Sequence, residues 1–210
     1  MIRQRRALPL LSVASLAATL PAYAISSTAE SSRPDVVASL VTADGRRIGS
    51  VDFLDRRREH HTVVRVHLRL PGRTTAVDAF HGLHVHANND LSNGSGCVAD
   101  PADPASTWFV SADGHLARTG QTHPDHRGDL PSVYVNPDGT ARMHYTISRV
   151  SPAQLRGRVV ILHAGRDNFG NVPVDSAADG YEPNSSEATT KTAATGNAAD
   201  RYACGVITRR

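Results

Sequence analysis

From Asp35 onward, apolar and polar residues alternate in short, strand-sized runs. Val36, Val37, Leu40 and Val41 lead into Ala43-Asp44-Gly45, a turn signal, and Arg47 to Leu54 reads as the returning strand. Asp55 to His61 is charged and turns. Val64, Val66, Leu68 and Leu70 then alternate with Val63, Arg65, His67 and Arg69, the two-residue period of a strand with one buried face, and Pro71-Gly72 stops it. Ser132 to Val135, the turn Asn136-Pro137-Asp138-Gly139, and the alternation of Ala141, Met143, Tyr145 and Ile147 predict a second hairpin. Ser151 to Leu155 fits one helical turn with Ser at the cap and Pro first. Arg158 to Leu162 and Ala203 to Ile207 complete the strands. No helical period of useful length is visible. The pattern predicts an all-β sandwich or barrel. Two stretches, 86–130 and 164–202, fit no strand and are read as long functional loops.

The N-terminus follows a different pattern. Arg3, Arg5 and Arg6 precede an apolar run from Ala7 to Leu20, which ends in Ala22-Tyr23-Ala24. A basic start, a short apolar run and a small-x-small site describe a secretory signal peptide. The run is too short for a membrane span, so no integral span is expected. Residues 1–24 are read as the leader, 25–34 as a flexible lead-in and 35–210 as one domain. Of the 23 basic residues three lie in the leader, which has no acid, so 20 basic residues balance 20 acidic ones in the mature chain. That balance, with 5% aromatic residues, excludes a general nucleic-acid footprint. The chain's two cysteines, Cys97 and Cys204, suggest one disulfide in an exported protein.

The chemistry is carried by histidine. Eight of the eleven His fall between His81 and His163. His84-Val85-His86 places two imidazoles on one face of a strand, where both can reach a metal. Such pairs also occur on solvated strands, so the pair assigns nothing alone. His115, His123, His126 and Asp129 are denser, and a His₃Asp set in a loop suits tetrahedral zinc. His163 ends an apolar strand, and Asp167 follows as a carboxylate able to orient a metal-binding ring. Two strand His, four loop residues and His163 give seven donors. Two four-coordinate sites need eight, or seven if one imidazole, deprotonated at both nitrogens, is shared.

The quoted residues closely resemble copper,zinc superoxide dismutase, in the form found in secreted bacterial members. The matching pieces are Phe80 to His86, Gly114-His115, His123 with His126-Arg127-Gly128-Asp129-Leu130, His163 to Asp167, and Thr195 to Ile207. The resemblance spans about residues 35–207. It implies an eight-stranded Greek-key β-barrel or sandwich that dismutates superoxide to O₂ and H₂O₂ by alternate reduction and oxidation of copper. It implies copper on His84, His86, His115 and His163, zinc on His115, His123, His126 and Asp129, and His115 as the bridge. Asp167 would bond His84 and His123, Arg201 would guide the anion, and Thr195 would narrow the channel opposite it. Cys97 and Cys204 would form the family disulfide, and His81 would be structural. The only partner implied is superoxide, a small anionic substrate. The assembly is left open, with a homodimer among the forms allowed, and so is the choice between periplasm and exterior.

Several positions depart from the familiar pattern. His123 and His126 are only three apart, the Cys97–His115 loop is long and carries Trp108 and Phe109, and Leu116-Ala117-Arg118 follows His115. Asp175 to Ala194 carries four acids and one Lys, an acidic field for a guiding loop. The alternative function is a non-enzymatic extracytoplasmic copper/zinc-binding module. It predicts a missing copper ligand or guiding Arg, and none is missing. N-terminal sequencing of the protein recovered from an exporting host is expected to begin at Ile25; a chain retaining Met1 contradicts the leader.

Overall fold

The computed structural model describes residues 33–56, 59–71, 76–169 and 185–210. The leader, nearly all of the lead-in, Gly72, Asp175, Asp179 and Glu182 lie outside the described residues. Arg33–Arg210 forms one compact unit.

The first three strands follow the alternation. They are β1 (Val36–Thr42), β2 (Arg47–Arg56) and β3 (His61–Arg69), paired antiparallel. The Ala43-Asp44-Gly45 turn is closed by Gly45 N–H donating to the Thr42 carbonyl at 2.8 Å. Val64, Val66, Leu68 and Leu70 of the β3 region are buried in the main core, with Phe53 of β2 opposite. Next come β4 (Ala79–His81), β5 (Leu83–His86), β6 (Val133–Val135), β7 (Thr140–Ile147), β8 (Val159–His163) and β9 (Arg201–Arg209). Seven strands form a curled antiparallel sheet in the order β5-β8-β9-β1-β2-β3-β7, and β4 pairs with β6. The non-local neighbours β9 beside β1 and β7 beside β3 are those of a Greek-key barrel. Among the described residues nine strands stand where eight are expected, because Gly82 splits one run: Ala79–His81 pairs with β6 and Leu83–His86 with β8.

Two expectations are corrected. β6 and β7 are joined by the predicted tight turn, with Asn136 N–H donating to Thr140 O at 2.8 Å, but they do not form a hairpin ladder. β6 pairs with β4 and β7 with β3. The turn specifies a chain reversal, while burial decides which partner each strand takes. The second correction is a helix. Besides the expected turn α1 (Pro152–Leu155), closed by a capping box between Ser151 and Gln154, there is α2 (Ser186–Thr195). Its sequence is small and polar, so no apolar stripe announces it; Ala188 and Thr192, one helical turn apart, are buried. The Ser185 side chain caps its N-terminus by accepting from Ala188 N–H. No helix among the described residues is long and apolar enough to cross a membrane.

The barrel has a second apolar layer outside it. Val160 and Leu162 of β8 point into the main core, while Val159 and Ile161 point outward. There they meet Phe109, Ala112 and Cys204, with Trp108 packed alongside. The long Cys97–His115 loop therefore covers the barrel. It is tied down by the Cys97–Cys204 disulfide, and Trp108 Nε1–H donates to the carbonyls of Asp100 and Asp103 at 2.9 and 3.1 Å. Phe109 is only 1% exposed, so Phe109→Ala is expected to destabilise the fold by about 3–5 kcal/mol. Denaturant titration checks this; a loss below about 1 kcal/mol would mean that the loop lies on the barrel without holding to it.

Candidate metal centre

The centre sits on the outer face of the barrel because of strand alternation. Leu83 and Val85 of β5 point into the core, so His84 and His86 point out. β5 is an edge strand, and two loop segments satisfy its free edge. Leu116 N–H donates to Val85 O at 2.8 Å, Val85 N–H to Gly128 O at 2.8 Å, and Leu130 N–H to Leu83 O at 3.2 Å. These bonds set His115 beside His86 and Asp129 beside His84. Gly128 is required there, since a Cβ would lie 2.2 Å from the Val85 carbonyl oxygen. His163 arrives from β8, where a register shift after Leu162 places it opposite Arg201.

Four ring nitrogens converge without partners. His84 Nδ1, His86 Nε2, His115 Nε2 and His163 Nε2 are buried and make no hydrogen bond. The donor atoms of these four residues lie within 4.8 Å of one another. On three of the rings the other nitrogen is held. His84 Nε2 lies 2.8 Å from Asp167 Oδ2, His86 Nδ1 2.7 Å from the Asp113 carbonyl, and His163 Nδ1 3.2 Å from the Ala199 carbonyl. A carbonyl only accepts, so His86 and His163 donate from Nδ1 and leave Nε2 as a lone pair. Four converging lone pairs in a buried site fit a soft or borderline cation.

A second donor set adjoins the first. His115 Nδ1 lies 3.2 Å from His126 Nδ1 and 2.8 Å from Asp129 Oδ1. His123 Nδ1 and His126 Nδ1 lie 3.1 and 3.2 Å from Asp129 Oδ2. Donors around a tetrahedral zinc at about 2.0–2.1 Å sit about 3.3 Å apart, so this spacing fits one. His84 also lies within 4.8 Å of His115, His123 and Asp129, but its Nε2 is taken by Asp167, while His126 Nδ1 lies against both His115 and Asp129. The His115 ring lies between the two groups, its Nε2 bare and its Nδ1 against His126 and Asp129.

The carboxylates govern charge. Burial disfavours ionised Asp129, but the His115 and His123 hydrogen bonds outweigh it and hold the carboxyl well below its usual range. Asp167 is held at about 2, where His123 and His84 likewise outweigh burial. Burial, then neighbouring positive charge, pushes His86 and His163 well below their ordinary value. Burial also lowers His115, to about 4 against the pull of Asp129. His123 is the exception: burial opposes its charge, but Asp129 and Asp167 together raise it to about 9.

Asp167 Oδ1 lies 2.7 Å from His123 Nε2, so one carboxylate touches both donor sets. Gly196 makes room for this contact. Its φ is +63°, and a Cβ there would fall 2.2 Å from Asp167 Oδ1 and 2.6 Å from His123 Nε2. The helix before it contributes Ala193 O, which accepts from His123 N–H at 2.7 Å. Thr195, in the last turn, donates its hydroxyl to Lys191 O at 3.2 Å. Arg201 is half-buried and gripped by the covering loop: Nη1 donates to the Phe109 carbonyl and Nη2 to the Asp113 carbonyl at 2.6 Å. Burial lowers its proton affinity and nearby Asp113 opposes that, yet a guanidinium stays charged. His81 stands apart, its nitrogens 2.9 Å from His163 O and 3.0 Å from Ala76 O. Sequence reasoning missed Asp113 and Arg149; Arg149 Nη1 braces the loop by donating to Pro124 O at 2.7 Å and His126 O at 3.1 Å.

The chain is similar to known proteins over most of its length. The family model described as copper/zinc superoxide dismutase (SODC) matches residues 47–207. A copper–zinc superoxide dismutase of Mycolicibacterium paratuberculosis is 32% identical over 184 residues, covering 85% of this chain and 76% of that protein. Another, from Mycobacterium tuberculosis, is 32% identical over 175 residues, covering 82% and 69%. Among solved structures, the crystal structure of the clock protein EA4 superposes with a TM-score of 0.59 at 23% identity, covering 84% of this chain and 96% of that one, and shares the fold.

The charge pattern predicts proton release. A metal ligand must be an unprotonated imidazole, and in the metal-free protein His123 carries its proton below about 9. Zinc uptake at neutral pH should therefore expel that proton. Affinity should rise about tenfold per pH unit until the pH passes the His123 value, then level off. Chelator competition at several pH values checks this; a flat profile would show that His123 is already neutral.

Proposed function

Since this chain belongs to the copper/zinc superoxide dismutase family and is a superoxide dismutase, we propose how its residues divide the work. His84 Nδ1, His86 Nε2, His115 Nε2 and His163 Nε2 hold copper. His115 Nδ1, His123, His126 and Asp129 hold zinc, and His115 joins the two. The observation that carries this reading is the convergence of four bare, buried nitrogens on one side of a ring whose other nitrogen belongs to the His₃Asp set. When bound, copper supplies one-electron oxidation and reduction, and zinc supplies a fixed Lewis acid.

The protein's own residues do the rest. Two superoxide anions and two protons become O₂ and H₂O₂, so the site must attract an anion twice and deliver protons once. Arg201 supplies a permanent positive charge, held in place by two carbonyls that cannot neutralise it. His115 Nε2 would carry one proton for the second superoxide whenever that nitrogen is not holding copper, and water would supply the other proton of H₂O₂. Asp167 fixes the rings of His84 and His123, leaving Nδ1 of each free to bind. Thr195 narrows the approach opposite Arg201, supported by its place in the helix turn leading to Gly196. The protein works outside the cytoplasm after removal of residues 1–24, a reading supported by the N-terminal pattern and by the disulfide.

Arg201→Ala tests the steering role. It is expected to lower kcat/KM for superoxide about tenfold and to flatten its dependence on ionic strength, with Arg201→Lys retaining part of both. An unchanged rate and salt slope in Arg201→Ala would remove Arg201 from the site.

A further inference from the structure

Asp113 occupies a backbone conformation that belongs to glycine. Its φ and ψ are 65° and −157°, a region where a Cβ is strained. Such a residue persists only where its surroundings hold it, and here the hold is visible. Asp113 Oδ2 accepts from Asn89 N–H at 2.6 Å and Asp90 N–H at 2.9 Å, and Oδ1 accepts from the Asn93 amide at 2.7 Å. The carboxylate is thus clasped by the short turn that follows β5. The carbonyl of the same residue makes the two contacts already described, accepting from His86 Nδ1 at 2.7 Å and Arg201 Nη2 at 2.6 Å.

We infer that Asp113 is a positioning residue for both Arg201 and His86: its clasped carboxylate holds the strained backbone, and the backbone aims one carbonyl at the guanidinium and the imidazole together. The inference rests on the roles proposed above for Arg201 and His86. It assigns the side chain a task that a carbonyl alone cannot perform, since any residue carries a carbonyl but only an acceptor of this length meets the turn's donors. The anion guide and one metal-binding ring therefore share a single support. Loosening it shifts the direction of Arg201 and the orientation of His86 together.

The test uses the full mature chain loaded with copper and zinc, with azide as a small monovalent probe. Asp113→Ala removes the clasp and keeps the strain. It should weaken azide binding, read by optical titration, about tenfold, with a comparable fall in kcat/KM and a changed copper spectrum. Asp113→Asn keeps one oxygen for the two backbone donors and should stay within about twofold of the parent. Val64→Ala, a change in the main core at the pairing of β2 with β3, serves as the control: it should lower Tm without moving azide affinity. Where Asp113→Ala does not fold, Asn93→Ala, which removes one donor, should weaken azide about twofold. Arg201→Ala is measured alongside. If it weakens azide while Asp113→Ala lowers Tm alone, the positioning role is wrong. If Arg201→Ala also leaves azide unchanged, the reading of Arg201 fails instead.

Discussion

A single carboxylate ties the two halves of the centre together. Asp167 Oδ2 lies 2.8 Å from His84 Nε2, and its Oδ1 lies 2.7 Å from His123 Nε2. His84 stands on a rigid edge strand; His123 stands on a loop with little secondary structure of its own. A carboxylate between them turns the loop ring relative to the strand ring and decides which nitrogen of each is bare. Much of the neighbouring chain serves this contact. Gly196 has no Cβ where one would collide with it, and the end of α2 accepts the His123 amide. Arg149 braces the same loop from the other side.

The barrel contributes through its outside. An interior filled by Val64, Phe53, Leu83 and Leu162 has no room for a metal, and alternation sends the histidines of β5 outward. They would be exposed there if loops did not cover them. The Cys97–His115 loop supplies that cover, seated by Phe109 and bonded through Cys97 to Cys204. The carbonyls of Phe109 and Asp113 then hold Arg201 at the edge of the centre. Packing of one aromatic residue is in this way connected to the direction of the one guanidinium that the proposed steering uses.

Most strands were legible because each buries one face. The period of Val64, Val66, Leu68 and Leu70 is the chemistry of β3 itself. The partners of β6 and β7 were not legible, because a tight turn says that the chain reverses and not which sheet receives it. α2 was hidden because Ser186 to Thr195 buries too little to leave an apolar stripe. The donor residues stood out by type and spacing, since few other needs gather so many His and Asp in so short a stretch. Their supports did not. The carbonyls of Asp113, Ala199 and Phe109 are invisible in a sequence, because every residue has one and only the fold aims it. The left-handed backbone of Asp113 is likewise a property of its neighbours.

The central claim is that His115 belongs to two sites at once. Anomalous diffraction from crystals of the loaded protein, collected at the copper and zinc edges, tests it most directly. Two separate peaks are expected to flank the His115 ring, copper against His84, His86 and His163 and zinc against His123, His126 and Asp129. Both metals scattering from one position, or a His115 ring that touches only one peak, would contradict it.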